Sequence, residues 1–296
     1  MEEIQKCKVC ENQSFTLFLE CMDHFLTKEY FTIQECQNCG FRLTNPRPLE
    51  ENLGEYYKSA EYISHSNLKK GLFNSIYQKV REYTVKKKYR LISKFASNGK
   101  ILDIGCATGE FLNIFQQNNW TVHGIEPNEN ARNFAISNYG LNVGSEEEIK
   151  EFVLNSFDVV TMWHVLEHVS LLNDRINEIK RILKNTGILV VAVPNCNSLD
   201  AKFYKEFWAA YDVPRHLYHF TQNSMTKLME KHKFELQKIM PMKFDSYYVS
   251  LLSEKYKSGR QNYFKSIWKG FHSNFYARFN KNEYSSLIYI FKNVDI

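Results

Sequence analysis

The sequence predicts an α/β protein built on a doubly wound parallel sheet with a smaller module ahead of it, and three observations carry that prediction. From Lys100 onward short apolar runs alternate with helical patterns, the first run ends in a glycine-bearing turn, and two CxxC pairs stand apart near the amino terminus. Residues 101–104, 122–126, 157–162 and 188–193 read as buried strands. Residues 110–118, 128–139 and 172–183 carry the helical spacing between them. A third strand is placed near residues 141–143. Gly187, two residues after Asn185, is expected to separate the last of these helices from its strand.

The stretch ILDIGCATGEFL, residues 101–112, is the most specific in the chain. A strand ending at Asp103 meets Gly105 and Gly109 before a helical pattern resumes at Glu110. Glycine allows positive φ and close approach of a ligand, and the N–H groups opening the next helix carry partial positive charge. That makes a nucleotide cradle. A dinucleotide fingerprint fails because Ala107 stands at its middle glycine position, and a P-loop fails because Glu110 follows Gly109 where Lys is needed. The next strand, TVHGIEPN, ends in Glu126-Pro127, and a carboxylate there can accept hydrogen bonds from both hydroxyls of a ribose. An adenosine without phosphates fits this combination.

With these residues in place, the chain resembles the class I S-adenosylmethionine-dependent methyltransferases, through Asp103 to Gly109, Glu126, and the segment SFDVVTMWHVLEHV at 156–169. The resemblance implies a Rossmann-like sheet in which two final strands, 234–240 and 287–292, close an antiparallel hairpin. It implies S-adenosylmethionine as cofactor, with Asp103 near the methionine ammonium and Gly105, Cys106, Ala107 and Gly109 lining the turn. Glu126 and Pro127 would then face the ribose, and Trp163 and His164 the methionine end. Residues 242–283 become an insertion between the hairpin strands. It is aromatic and basic, which suits a cap over a small-molecule pocket, with a nucleic-acid surface as the alternative.

The chain has 296 residues, enough for one large and one small unit, and its 44% hydrophobic and 24% charged residues are ordinary globular values. A net charge of +5 is mild and does not by itself argue for nucleic acid. Neither a secretory pattern at the start nor an apolar run near the roughly 20 residues of a membrane span is seen, so a cytoplasmic location is expected.

In a reducing compartment, CxxC pairs favour metal over disulfides. Cys7 and Cys10, with Cys36 and Cys39 further on, offer four thiolates, the set that suits a closed tetrahedral structural zinc. Short strand candidates at 15–18 and 30–33 between the pairs complete a zinc ribbon. The organisation expected is therefore a ribbon over 1–48, a helical connector over 49–98, with helical patterns at 49–57 and 73–95, and a methyltransferase domain over 99–296. The knuckles, the NPRP at 45–48 and the Tyr56-Tyr57 pair together resemble the amino-terminal part of a group of zinc-ribbon methyltransferases. Lys86, Lys87, Lys88 and Arg90 read as a solvated helix face, or as an electropositive rim for a phosphate-bearing substrate.

Two clusters offer proton-transfer chemistry. His164 and His168 are spaced i, i+4 with Glu167 between, so the histidines are expected to share a helical face. This segment is similar to the ubiquinone-type O-methyltransferases, where the Glu-His pair is associated with a divalent cation. The second cluster is YDVPRHLYHFT at 211–221, where His216 or His219 is the expected base, Arg215 a clamp for a phosphate or carboxylate, and Thr221 a helix cap. The function expected is methyl transfer to a small molecule, a sugar, nucleotide-sugar or glycan precursor, as the zinc-ribbon relatives suggest. The alternative is an RNA methyltransferase that uses the ribbon and the insertion to hold its substrate. A non-catalytic binding module is weaker, because the cofactor motifs are intact.

Overall fold

The computed structural model describes residues 1–58 and 72–294. In chain order its strands are β1 (Phe15–Met22), β2 (Tyr30–Cys36), β3 (Arg42–Thr44), β4 (Lys100–Ile104), β5 (Thr121–Ile125), β6 (Val143–Gly144), β7 (Phe157–Trp163), β8 (Leu183–Pro194), β9 (Tyr218–His219), β10 (Phe234–Pro241) and β11 (Ser286–Asn293). Seven of them form one sheet in the order β10-β11-β8-β7-β4-β5-β6. Strands β4 to β8 run parallel, and β11 lies antiparallel to both β8 and β10. The doubly wound sheet with its antiparallel hairpin is present.

The central strands carry their apolar residues on both faces, and Val159, Val160, Met162 and Leu189 to Val193 are buried. Helices cover them with single apolar stripes. Helix Leu172–Ile182 buries Leu172, Ile176 and Ile179, spaced i, i+4, i+7, against the sheet. Each such side chain contributes about 1.5–3 kcal/mol on burial.

Three expectations need correction. Gly187 does not break a helix from a strand, because β8 begins at Leu183, directly after the helix. The ladder with β7 slips between Phe157 and Val159, and a Cβ on Gly187 would come within 2.8 Å of Leu183, so the glycine serves an irregular stretch inside the strand. The pattern at 49–57 divides into one α turn, Glu50–Leu53, and a 3₁₀ turn, Gly54–Tyr57. The second connector helix spans Leu72–Ile92, ending short of 95, and residues 59–71 of the connector lie outside the described residues.

The small amino-terminal sheet runs β1-β2-β3-β9. Its fourth strand comes from the far end of the chain: Arg42 pairs with His219 and Leu43 with Tyr218. The insertion forms two helices, Asp245–Ser258 and Tyr263–Phe279, which pack on each other.

Candidate active site

The turn after β4 takes left-handed φ at Gly105 (75°), Ala107 (48°) and Gly109 (83°). At Gly105 a Cβ would sit 2.4 Å from a Val165 methyl, so glycine is required by contact as well as by φ. Ala107 holds the same conformation with a side chain, a strained arrangement that needs outside support. Glu126 supplies it. One carboxylate oxygen accepts from the Ala107 N–H at 2.8 Å and the other from the Asn128 N–H at 2.9 Å, which ties the turn to the end of β5. Burial pushes the Glu126 carboxyl above its ordinary range despite those bonds. A carboxylate has about four acceptor positions, so two remain for ribose hydroxyls. The N–H groups of Gly105 and Cys106 both go to the Ile125 carbonyl, at 2.7 and 3.1 Å. The Cys106 thiol packs beneath Gly124 in the core, so this residue offers the turn backbone only.

Asp103 is buried at the end of β4 and accepts a short hydrogen bond from the Thr161 hydroxyl on β7. Burial pushes its carboxyl up to about 7, against the pull of Thr161 and the Lys88 ammonium. Lys88 reaches in from helix Leu72–Ile92, and burial lowers its ammonium to about 8 although Asp103 and Asp245 both favour its charge. Its Nζ lies 3.9 Å from the centre of a Trp163 ring, a cation–π contact. The buried indole N–H of Trp163 has no hydrogen-bond partner among the described residues. Arg81 anchors the same helix to the turn through Glu110 at 2.8 Å and the Thr108 hydroxyl at 3.2 Å. Lys88 was legible only as part of a basic run. Its spacing from Arg81, i+7 on one helix face, is the signal that separates it from its solvated neighbours.

Beside Lys88 opens a cleft of about 240 Å³, between helix Leu72–Ile92 and the ends of β10 and β11. Lys87, Lys88, Arg90, Lys94 and Lys243 line it together with Leu91, Met240, Phe244 and Ile288, and Asp245 is its carboxylate.

The two histidines after β7 do not share a helical face. His164 has φ 58°, which ends the strand, and only a 3₁₀ turn, Leu166–His168, follows. His164 bridges two acids, with Nε2 3.0 Å from Asp245 and Nδ1 3.3 Å from Glu167. Burial alone would favour the neutral ring, but the hydrogen bonds to Asp245 and Glu167 push it up to about 10, so it is an imidazolium at neutral pH. Asp245 is 81 positions away in the insertion, and nothing in its local sequence marked it. His168 turns the other way, its Nδ1 2.9 Å from the Tyr57 hydroxyl and 3.1 Å from the Arg215 carbonyl. Burial, with His216 nearby, lowers it to about 4. The rings of His168 and His216 meet edge to face at 4.5 Å, and Nδ1 of His216 bonds the Ala210 carbonyl at 2.8 Å. Because a carbonyl only accepts, that nitrogen carries a proton, and Nε2 is the atom the ring has left to offer. Glu167, fully buried, has donor atoms of His168 and His216 within 4.8 Å, and its Oε2 has no hydrogen-bond partner among the described residues. One carboxylate and two imidazoles also form a donor set that fits a divalent cation.

The remainder of the 211–221 loop is a seam. Arg215 does not clamp a substrate: it is 1% exposed, doubly bonded to Asp212 at 3.0 and 2.6 Å, and paired with Asp23 of the ribbon at 2.9 Å. His219 is buried between the sheets, its Nε2 3.0 Å from the Thr44 hydroxyl, and burial drives it well below the usual imidazole range. The seam position withdraws it as the acceptor's base. Thr221 caps helix Gln222–Lys231 as expected. In the ribbon, Cys7, Cys10, Cys36 and Cys39 bring their sulfurs within 4.8 Å of one another, with Cys7–Cys39 and Cys10–Cys36 both at 3.5 Å. Thiolates about 2.3 Å from a shared tetrahedral ion stand slightly farther apart than that, so the set fits zinc.

Comparison with known proteins decides the family. A profile described as a methyltransferase domain matches residues 77–239, more than half of the chain. The chain belongs to the methyltransferase-domain family. Fold and family agree on a class I S-adenosylmethionine-dependent domain. An uncharacterized protein of Methanocaldococcus jannaschii is 36% identical over 117 residues, 37% of this chain and 48% of that protein. The ubiquinone biosynthesis O-methyltransferase of Actinobacillus pleuropneumoniae is 35% identical over 108 residues, 32% of this chain and 46% of the enzyme. The chain thus spans about half the length of the curated relatives it matches. The magnesium protoporphyrin IX methyltransferase of Synechocystis, solved with bound S-adenosylhomocysteine, shares the fold at TM-score 0.55 and 12% identity, over 83% of this chain and 100% of that one. Among the described residues no helix is long and apolar enough to cross a membrane.

Proposed function

We propose that this methyltransferase acts on a small anionic molecule, a sugar, nucleotide-sugar or glycan precursor carrying phosphate or carboxylate. The observation that carries the reading is the lysine-lined cleft beside Lys88. At about 240 Å³ it suits a small ligand rather than a polynucleotide, and its cations and apolar floor match a charged group attached to a less polar body. S-adenosylmethionine lies along the turn in this reading, its ammonium at Asp103, its ribose at Glu126 and Pro127, and its methionine end against Trp163. The cofactor supplies an electrophilic methyl group for in-line displacement. The protein contributes alignment and a place for the acceptor's proton. That proton is taken by the Asp245 carboxylate and relayed inward, His164 accepting it at Nε2 as it gives its Nδ1 proton to Glu167, beside which His216 stands within 4.8 Å. The four cysteines hold one structural zinc.

Turnover with labelled S-adenosylmethionine, across phosphorylated sugars, nucleotide-sugars and RNA, tests the proposal. Methylation of a phosphorylated or nucleotide sugar, with KM raised by Lys87→Ala/Lys94→Ala and cofactor affinity unchanged, is the expected result. Methylation of RNA alone would overturn it. The partnerless oxygen of Glu167 favours a second reading, in which a divalent cation held by Glu167, His168 and His216 takes the place of the base. Under that reading activity depends on added magnesium or manganese while the ribbon keeps its zinc; under the first it does not.

A further inference from the structure

The helix Tyr263–Phe279 is built inside out. The residues it buries are small: Ser266, Gly270, Ser273 and Ala277, spaced i, i+4, i+7, i+11 along one face. That face lies so close to helix Asp245–Ser258 that a Cβ on Gly270 would come within 2.8 Å of the Tyr247 ring. The opposite face carries Phe264, Trp268, Phe271, Phe275 and Phe279. Phe264 is 83% and Phe279 68% exposed, and the other three are more than half exposed. A surface helix ordinarily turns its apolar stripe toward the core. Here the rings touch chiefly one another, Trp268 to Phe271 at 6.2 Å, Phe271 to Phe275 at 6.3 Å and Phe275 to Phe279 at 5.3 Å. The stripe leaves about 600 Å² of aromatic surface in water, at or beyond the largest patch of an ordinary monomer.

The charges beside the stripe name its occupant. From Arg260 to Lys281 there is no acidic residue, while Arg260, Lys265, Lys269, Arg278 and Lys281 are basic. Lys265 is paired with Glu254 at 3.0 Å and Lys269 lies over Phe203 at 3.5 Å; Arg260, Arg278 and Lys281 are exposed. A second copy of the helix laid on this one would set cations against cations, and its contact falls short of the roughly 800 Å² per partner of a standard interface. An anionic lipid surface meets both halves of the pattern. Phenylalanine and tryptophan enter the boundary between headgroups and chains, and the flanking cations meet lipid phosphates.

We propose that the outward face of helix Tyr263–Phe279 docks this protein on anionic membrane surfaces, lying in the interface without spanning it. The observation is independent of the cleft and of the acceptor assigned to it. Sedimentation of the full chain with vesicles tests it, comparing phosphatidylcholine alone with phosphatidylcholine mixed with phosphatidylglycerol. The expected result is at least ~10-fold stronger binding to the anionic vesicles, weakened by added salt. Phe271→Glu/Phe275→Glu should lose that binding while S-adenosylmethionine affinity and melting temperature stay unchanged, since both rings are exposed. Wild-type protein that stays in the supernatant with anionic vesicles overturns the proposal, as does a double variant that sediments equally well. A dimer seen by light scattering, dissociated by the double variant and without vesicle binding, would assign the face to a second copy instead.

Discussion

Asp23 and Arg215, 192 positions apart, form an ion pair at 2.9 Å in which neither side chain is more than 1% exposed. The pair ties the ribbon to the loop after β8. Around it Arg215 also holds Asp212 and the Tyr56 carbonyl at 3.1 Å, Thr44 donates to the His216 carbonyl at 2.7 Å, and Arg47 donates to the Tyr218 hydroxyl at 3.0 Å. The PRHLYHFT stretch is thus a socket, and its arginine serves assembly. Removing one partner of a buried pair strands the other charge, at a cost of about 3–5 kcal/mol. Arg215→Ala should therefore lose about that much in chemical unfolding. Arg215→Lys should lose much of it too, because an ammonium cannot replace the fork that meets two carboxylates and a carbonyl. Stability within 1 kcal/mol of wild type in both variants would show the pair to be dispensable.

The same coupling gives the zinc prediction a second readout. Metal analysis of protein purified without chelators should find zinc near one per chain, and Cys36→Ser/Cys39→Ser should lose it. Because β3 pairs with β9 through Arg42 and Leu43, loss of the ion should also loosen the 211–221 loop. Amide exchange at Tyr218 and His219 should then rise in the double variant. Full zinc retention by that variant would remove these cysteines from the site.

The fold was legible in the sequence because its signals are local. Alternating apolar runs, Gly105 and Gly109, Glu126 after β5 and the cap at Thr221 each act within a few residues of where they stand. The socket was not, because its meaning depends on contacts across most of the chain: Arg215 looks the same in sequence whether it meets a phosphate or Asp23. His164 was misjudged for a local reason, since a left-handed φ at a non-glycine residue leaves no mark in the helical spacing of His164 and His168. Asp245 and Lys88 reach the site from separate helices, and only the folded chain brings Asp245 to His164 and Lys88 to Trp163.

Glu126 is the sharpest probe of the proposed cofactor site. Losing a charge-assisted pair of hydrogen bonds to the ribose should cost about 1.5–3 kcal/mol, roughly tenfold to a hundredfold in affinity. The structure adds that Glu126 also restrains Ala107, so Glu126→Ala should both weaken binding and speed amide exchange in the turn. Calorimetry that finds S-adenosylmethionine bound as tightly as in wild type would take Glu126 out of the site.

Asp103 should make cofactor affinity depend on pH. Burial pushes its carboxyl up to about 7 in the free protein, and only the carboxylate can pair with the methionine ammonium. Affinity should therefore climb as pH rises toward about 7, by up to about tenfold per unit, and turn down past about 8, where an α-amino group begins to lose its proton. Asp103→Asn should bind more weakly and without the rising limb. A wild-type affinity that is flat between pH 5.5 and about 7 would contradict the assignment of Asp103 to the ammonium.

His164 ties stability to pH in the opposite direction. Its folded value of about 10 lies above the ordinary 6.5, because the bonds to Asp245 and Glu167 outweigh burial. A raised imidazole contributes fully below about 6.5 and loses its contribution as pH climbs through about 10. Lys88, lowered to about 8 by burial, changes stability the other way over part of that range, so the wild-type profile alone is not diagnostic. The difference between wild type and His164→Gln isolates the histidine: it should be largest near pH 6 and shrink steadily toward pH 10. Asp245→Asn removes one of the two acids and should move the decline to lower pH. It should also reduce turnover, since Asp245 is the outer member of the proposed proton path and borders the cleft. A wild-type minus His164→Gln difference that is constant from about pH 6 to about pH 10 would mean that His164 does not change charge in that window, and would break the link between Asp245 and Glu167 on which the proton path depends.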